Sequence, residues 1–109
     1  MIFSLFIGRW QPFHHGHKAL IDSVLKEGKN VLIACRNTGV NESNPYSYRK
    51  RVKMIRKIYP NKNRVKIIKI PDIEEVCWGR KVGWGIREIK LSPEIEAISA
   101  TAIRNKLKK

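Results

Sequence analysis

The apolar and polar positions of this chain follow two periods in turn, and the alternation predicts strands and helices in succession. Short, mostly apolar runs at residues 2–7, 31–35 and 65–70 have the length and composition of strands buried within a sheet. Between these runs the apolar residues recur every three or four positions, which predicts helices over residues 17–27 and from residue 45 to about residue 60. Strand and helix therefore alternate along the first half of the chain.

The remainder of the sequence predicts two further elements. Residues 86–91 alternate between apolar and charged side chains, which indicates a fourth strand, and residues 99–108 suit a short helix. Strands that alternate with helices form a parallel sheet with helices on its faces. Ligands of such sheets bind beyond the carboxyl ends of the strands. The loop after the first strand, residues 8–16, is therefore the first candidate for a functional site.

Length and composition limit the classes of protein to consider. A chain of 109 residues with 42% hydrophobic and 29% charged residues is expected to form one globular domain over residues 1–109. Its apolar runs are too short to span a bilayer, and its first residues have the pattern of a strand rather than of a signal peptide. The two cysteines, Cys35 and Cys77, are too few for a disulfide framework. These features predict a cytoplasmic protein without a membrane partner.

Positive charge is concentrated in the second half of the chain. The formal net charge is +14, of which residues 1–48 contribute +2 and residues 49–109 contribute +12. Such a field attracts an anionic partner, whether nucleic acid, a membrane surface or a small polyphosphate. Composition alone favours nucleic acid, but no RNA- or DNA-reading motif accompanies the charge. Most cations of the second predicted helix are expected to form a solvated outer face.

The loop after the first strand holds the most specific chemistry. His14 and His17 stand on either side of Gly16 at the predicted start of a helix. Glycine lets the backbone approach a ligand closely, and a helix N-terminus offers unpaired N–H groups and a positive partial charge. Two imidazoles placed there can stabilise the charge that develops during phosphoryl or nucleotidyl transfer. A zinc site is a weaker interpretation, because Cys35 and Cys77 lack the paired spacing of zinc ligands.

Two motifs near opposite ends of the chain resemble those of one enzyme superfamily. The sequence G-R-W-Q-P-F-H-H-G-H at residues 8–17 resembles the first signature of the HxGH nucleotidyltransferases, in the form of the archaeal-type nicotinamide-mononucleotide adenylyltransferases. I-S-A-T-A-I-R at residues 98–104 resembles their second signature, with alanine at its third position. N-P-Y-S at residues 44–47 and I-P-D at residues 70–72 resemble further segments of the same enzymes. The resemblance implies a Rossmann-like nucleotidyltransferase fold with helices on both faces of a parallel sheet.

The resemblance also implies a reaction. An acceptor phosphate attacks the α-phosphorus of a nucleoside triphosphate, pyrophosphate leaves, and Mg²⁺ is bound through the triphosphate rather than by protein ligands. The form of the first motif favours adenylyl transfer from ATP. The implied catalytic residues are His14, His17 and Arg104. The implied nucleotide-binding residues are Gly8, Arg9, Trp10, Phe13, Gly16, Ser99, Thr101 and Arg104.

The acceptor is less well defined, because the stretch between the I-P-D segment and the second signature is shorter than in the archaeal adenylyltransferases. The candidates for acceptor binding are Arg36, Arg51, Trp78, Arg80 and Trp84. The two tryptophans equally suit the interface of a homodimer, which is expected for so small a domain. A nucleoside triphosphate and a small phosphorylated acceptor are therefore the expected partners, rather than nucleic acid. Two alternatives stay open: cytidylyl transfer to an alcohol phosphate such as glycerol phosphate, and a catalytically inactive nucleic-acid-binding module.

Overall fold

The structure is a computed structural model that describes residues 1–80 and 83–96. Its elements, in chain order, are β1 (Phe3–Gly8), α1 (His15–Leu25), β2 (Asn30–Asn37), α2 (Tyr48–Ile58), β3 (Val65–Pro71) and the short α3 (Pro93–Glu96). The strands form one parallel sheet in the order β1-β2-β3. The predicted α/β fold with a parallel sheet is therefore confirmed. Within these residues, no helix is both long and apolar enough to cross a membrane.

One face of the sheet carries the hydrophobic core. Phe6, Ile33 and Ile67 stand side by side on neighbouring strands of this face. Ile21 of α1 and Ile55 of α2 are completely buried and belong to the same cluster. Both long helices therefore pack on this face, which brings their N-termini and the carboxyl ends of the strands to one edge of the sheet. That edge is where the predicted site lies.

The opposite face of the sheet is more open. Leu5, Ile7 and Ile68 lie on it, and their side chains are 55%, 37% and 41% exposed. None of the elements described above forms a second helical layer over this face. The core of the described part of the chain is thus built from one sheet and one layer of helices.

Both long helices begin with a side chain that caps their free N–H groups. α1 begins at His15, two residues earlier than predicted, because His14 is its N-cap residue. α2 begins after Ser47, whose hydroxyl accepts a hydrogen bond from the backbone N–H of Lys50 at 3.2 Å. A serine in this position is a common N-cap, whereas a histidine is not among the preferred types. The start of α1 was therefore harder to predict from sequence than that of α2.

The fourth predicted strand is wrong, because residues 86–91 form no strand in the structure. The segment instead extends beside α1. Arg87 forms an ion pair with Glu27, just beyond the C-terminal end of α1, with its guanidinium 3.0 Å from the carboxylate. Ile89 packs against the core, and the carbonyl oxygen of Ile95 lies close to Gly16 at the N-terminal end of the helix. Of the apolar positions that suggested a strand, Ile89 packs against the core whereas Ile86 is 70% exposed, and the segment brings α3 to the predicted site.

Candidate functional site

The N-terminus of α1 is built from two histidines that cap it reciprocally. The imidazole Nδ1 of His14 accepts a hydrogen bond from the backbone N–H of Gly16 at 3.0 Å. The backbone N–H of His14 in turn donates to the imidazole Nδ1 of His17 at 3.2 Å. This is the geometry of a capping box, here made by two imidazoles rather than by a hydroxyl and a carboxylate. The two rings stack, with centroids 3.7 Å apart and planes 18° from parallel.

This capping arrangement fixes the tautomer of both rings. A backbone N–H can only donate, so the Nδ1 atoms of His14 and His17 must both be unprotonated acceptors. In a neutral imidazole the single proton then resides on Nε2. Each ring therefore has an Nε2–H donor that the cap does not use. Both rings line the cleft at the end of α1, where these donors can meet a ligand.

Both imidazoles are neutral near pH 7. Burial, followed by the proximity of His14, lowers the pKa of His17 from its usual 6.5 to about 4. The pKa of His14 is also lowered, first by burial and then by the neighbouring His15. Desolvation disfavours the charged form of a base, so both shifts have the expected sign. The site offers two neutral N–H donors beside the positive end of a helix, which suits a multiply charged oxyanion.

Two aromatic residues of the first motif pack against the ring of His17. Trp10 meets the His17 ring edge to face, with centroids 4.8 Å apart, and Phe13 lies against it at 5.4 Å. Trp10 is 5% exposed, and its indole N–H donates to the carbonyl of Ala34 at 3.2 Å. The sequence predicts nucleotide binding by both aromatics. The structure gives them a positioning role instead, because they form part of the core beneath the histidines.

The two glycines of the motif are required for close packing. A Cβ atom on Gly16 would lie 2.8 Å from Cε1 and 3.1 Å from Nδ1 of His14. A Cβ on Gly8 would lie 3.0 Å from the indole of Trp10. The 2.8 Å and 3.0 Å carbon–carbon distances are shorter than an ordinary contact of about 3.5 Å. The absence of a side chain at Gly16 is therefore what allows the His14 ring to fold back over the helix N-terminus.

A cleft of about 260 Å³ opens beside the two histidines. One wall is the N-terminal turn of α1, and the other comes from the segment that extends along this helix. The described residues that line the cleft are His14, Gly16, His17, Leu20, Ile89, Leu91 and Ile95. The histidines make one wall polar, and Ile89, Leu91 and Ile95 make the other apolar, so the cleft suits a ligand with both an anionic part and an organic part. The contribution of residues 86–96 was not predicted from sequence, and residues 86–91 were expected to form a strand.

Of the five arginines predicted to contact the ligands, Arg9, Arg36 and Arg51 lie in different environments. Arg9 is partly buried and donates to the side-chain oxygen of Asn44 at 3.2 Å. Arg36 lies at the carboxyl end of β2 and forms an ion pair with Asp72 at 2.7 Å. Both therefore lie at the predicted edge of the sheet. The side chain of Arg36 is 29% exposed, so it remains accessible to an anion that competes with Asp72.

The structure does not support acceptor binding by Arg51. This side chain is 2% exposed, and its guanidinium donates to the carbonyl oxygens of Arg9 at 2.9 Å and Arg36 at 2.8 Å. It also donates to the carbonyl of Ser47 at 3.4 Å. Arg51 thus ties the loop after β1 to the end of β2 and to the start of α2. Its role is to hold the edge of the site together.

Gln11 links the loop after β1 to the segment before α2, a role that was not predicted from sequence. Its amide group donates to the carbonyl of Tyr46 at 2.8 Å and accepts from the N–H of the same residue at 2.9 Å. The side chain is 1% exposed. A primary amide carries both a donor and an acceptor, so it can imitate a backbone partner. The position of a glutamine among apolar residues of the motif was the feature from which this role could have been predicted.

The other predicted residues do not converge on the cleft within the described part of the chain. Trp78 and Trp84 are 52% and 67% exposed, and Arg80 is also exposed. None of these three side chains lines the cleft beside the histidines. The second signature, with Ser99, Thr101 and Arg104, lies outside the described residues.

The described residues contain no group of three or more histidine, cysteine, aspartate or glutamate side chains placed to hold a metal ion. The Nε2 atoms of the two histidines carry protons and therefore present no lone pair to a cation. Cys35 is fully buried, and burial raises the pKa of its thiol to about 11.

Comparisons with known proteins identify the family. Residues 5–76 match the model of the cytidylyltransferase-like family. The nicotinamide-nucleotide adenylyltransferase of Methanococcus aeolicus is 36% identical over 74 residues, which are 65% of this chain and 43% of the relative. That of Caldivirga maquilingensis is 35% identical over 80 residues, which are 68% of this chain and 45% of the relative.

The fold is also shared with a solved structure. The bifunctional NMN adenylyltransferase/ADP ribose pyrophosphatase from Francisella tularensis, complexed with AMP and a Mn ion, matches with a TM-score of 0.59 and 34% identity. The match covers 64% of this chain and 22% of that protein. The chain spans no more than about half the length of the curated relatives it matches. The sequence match, the shared sheet and the paired histidines at the start of α1 place this chain in the cytidylyltransferase-like family of nucleotidyltransferases.

Proposed function

We propose that this chain transfers an adenylyl group from ATP to a small phosphorylated acceptor. The observation that carries the proposal is the reciprocal cap of His14 and His17, which leaves two neutral Nε2–H donors at the N-terminus of α1. The relatives named as nicotinamide-nucleotide adenylyltransferases favour adenylyl over cytidylyl transfer. Nicotinamide mononucleotide is one candidate for the acceptor.

The proposed reaction is an in-line displacement at the α-phosphorus. An oxygen of the acceptor phosphate forms a bond to this phosphorus, the bond to the bridging oxygen of the β-phosphate breaks, and pyrophosphate leaves. Negative charge grows on the non-bridging and bridging oxygens, and two preorganised donors can stabilise it without a change of protonation. Mg²⁺ would be held by triphosphate oxygens and water, and it would offset part of the triphosphate's charge.

We assign the β- and γ-phosphates to the second signature. Support comes from the path of the chain, since the carbonyl oxygen of Ile95 lies 3.7 Å from the position of a Cβ on Gly16. α3 therefore lies beside the cleft. Ser99 and Thr101 are typical of a helix start, and Arg104 can bind phosphate oxygens through two donors. These three residues would extend the oxyanion site of the histidines along the triphosphate.

The acceptor would be recognised by the exposed residues Trp78, Arg80 and Trp84. Arg80 follows Gly79 directly in the sequence, and Trp84 comes four residues later. The arginine would bind the acceptor phosphate, and a tryptophan would cover its organic part. In the same segment, the exposure of both tryptophans also supports a homodimer in which they are covered. Arg36 would contribute when the acceptor competes with Asp72.

A pair of matched variants tests the proposal. His17→Asn should lower the rate of ATP-dependent pyrophosphate release by about a hundredfold, as for loss of other oxyanion donors, with a smaller effect on ATP affinity. His15→Asn is the control, because His15 is exposed and takes no part in the cap. Release would be measured with each nucleoside triphosphate against a panel of phosphorylated acceptors. A His17→Asn rate within about threefold of the unmodified protein would exclude the assigned role.

A further inference from the structure

The outer side of α2 carries an accumulation of positive charge that the adenylyl-transfer site does not use. Within its 11 residues α2 has six arginines and lysines and no acidic residue. Two of the six serve the fold: Arg51 donates to three backbone carbonyls, and Arg56 donates to the carbonyls of Tyr59 and Val65. The other four are exposed: Arg49, Lys50, Lys53 and Lys57. None of these four forms an ion pair with any residue that the structure describes.

This distribution is unfavourable for the helix itself. Lys50 and Lys53 are three residues apart, and Lys53 and Lys57 are four apart, so their charges face each other along one side of the helix. Each like-charged pair at this spacing costs a few tenths of a kcal/mol. Lys50 also lies in the first turn, where the helix dipole already favours anions over cations. An anion bound along this side would relieve each of these repulsions.

The three lysines surround an open groove. The groove has a volume of about 310 Å³, and its described lining consists of Tyr46, Lys50, Lys53, Met54 and Lys57. Along the helix axis the outer two lysines are about 10 Å apart, at about 1.5 Å per residue. A single phosphate cannot contact ammonium groups spread over two helical turns, whereas successive phosphates of one strand can. We call this feature the lysine groove.

Tyr46 gives the lysine groove an aromatic residue held in place. Its backbone is fixed by both hydrogen bonds of the Gln11 amide, and its ring is only partly buried. Aromatic side chains beside a line of cations are the usual platform for unpaired nucleic-acid bases, which stack while the phosphates meet the cations. A helix that inserts into a membrane interface would in addition present large apolar side chains beside the lysines. Among the described residues that line this groove, Met54 is the one aliphatic side chain without a charge.

We propose that the lysine groove of α2 binds single-stranded nucleic acid, with phosphates on Lys50, Lys53 and Lys57 and a base on Tyr46. The groove is lined by none of the residues that line the cleft at the histidines. Binding here therefore does not depend on the adenylyl-transfer proposal. The chain would then carry a nucleic-acid site and a nucleotide site on separate surfaces.

The direct test is the salt dependence of oligonucleotide binding. The full chain would be titrated into a labelled oligodeoxythymidylate of about 16 nucleotides, the upper range of a single-strand site, at a series of salt concentrations. The triple variant Lys50→Gln, Lys53→Gln, Lys57→Gln should bind at least about tenfold more weakly near 0.1 M salt. The slope of log affinity against log salt should also become shallower by about two, at about 0.7 for each lost phosphate contact.

A control triple variant separates a local site from the general field of the protein. Lys26→Gln, Lys62→Gln, Lys90→Gln removes the same charge from exposed positions outside the groove. It should change affinity by less than about threefold. Equal losses in the two triple variants would overturn the proposal, since binding would then follow net charge alone. Thermal unfolding of both variants checks that the fold is retained.

Tyr46 supplies the second measurement. Tyr46→Ala should weaken oligonucleotide binding by about tenfold, and Tyr46→Phe should preserve it, because stacking needs the ring and not the hydroxyl. An unchanged affinity for Tyr46→Ala would contradict the stacking contact. The same proteins would be tested on phosphatidylserine vesicles. Loss of vesicle binding in the Lys50, Lys53, Lys57 variant, with oligonucleotide binding unchanged, would identify the surface as a membrane site and refute the nucleic-acid proposal.

Discussion

The substitution Gly16→Ala separates the stability of the fold from the geometry of the site. The added Cβ would lie 2.8 Å from Cε1 of His14, so the ring must move by about 1 Å to reach an ordinary contact distance. That movement breaks the 3.0 Å hydrogen bond from the Gly16 N–H to Nδ1. Loss of an N-cap costs about 1 kcal/mol, and replacing a helical glycine by alanine returns up to about 1 kcal/mol.

The two effects on the free energy of unfolding therefore nearly cancel, whereas the effect on catalysis does not. A displacement of about 1 Å in a group that contacts the reacting phosphate can lower turnover by about a hundredfold. Gly16→Ala should thus retain its denaturation midpoint and lose most of its activity. Urea denaturation followed by circular dichroism gives the first quantity, and steady-state pyrophosphate release gives the second.

A double-mutant cycle with His14→Ala makes the test specific. Once the imidazole is removed, the Cβ that Gly16→Ala introduces has no ring to displace, so this substitution should raise the free energy of unfolding by up to about 1 kcal/mol. It should also cause no further loss of turnover in that background. Full activity of the single Gly16→Ala variant, or additive losses in the double variant, would show that His14 does not act through this contact.

Four further outcomes are expected. Arg104→Ala should weaken binding of ATP far more than binding of AMP, as measured by calorimetry, since its proposed contacts are to the β- and γ-phosphates. Arg80→Ala should raise the Michaelis constant of the acceptor with little change in ATP affinity. Arg51→Met should lower the free energy of unfolding by about 2–4 kcal/mol in urea denaturation, because buried carbonyls lose their donors. Because the pKa of His17 is about 4 in the folded protein and 6.5 in the ordinary case, the unfolded chain binds more protons between these values. Stability should therefore fall as the pH drops from about 6.5 to about 4, and His17→Asn should reduce this dependence in urea titrations.

The strands and helices of the first 71 residues could be predicted because local periodicity and packing agree there. β1, β2 and β3 are apolar runs that pair in parallel, and each is followed or preceded by an amphipathic helix. Residues 86–91 show where such reasoning fails. An alternating pattern indicates that every second side chain is covered, but it does not say whether a strand or a helix covers it. Here Ile89 packs against the core, Ile86 stays exposed, and residues 86–91 form no strand.

The site could be located from sequence, but the role of each residue could not. The motif identified His14 and His17, and the structure places both at the mouth of α1. Arg51 was expected to face a ligand because it matches a position near the ligands in the enzymes that the sequence resembles. Its position in the sequence instead indicated burial, since it lies three residues after Tyr48 and four before Ile55, on the inward-facing side of the helix. Burial of an arginine depends on carbonyl groups of Arg9 and Arg36, which are far apart in sequence.

The reciprocal cap of the two histidines also selects among acceptors. An imidazole whose only uncommitted nitrogen already holds a proton cannot take one from a substrate, so neither His14 nor His17 can serve as a general base while the cap is intact. In the proposed reaction, the two histidines therefore favour a nucleophile that is already ionised when it reaches the cleft. A phosphate monoester, with a second pKa of about 6, is largely a dianion at neutral pH, whereas an alcohol is almost entirely protonated. If the proposed reaction holds, the hydrogen bonds that begin α1 would thereby disfavour hydroxyl acceptors.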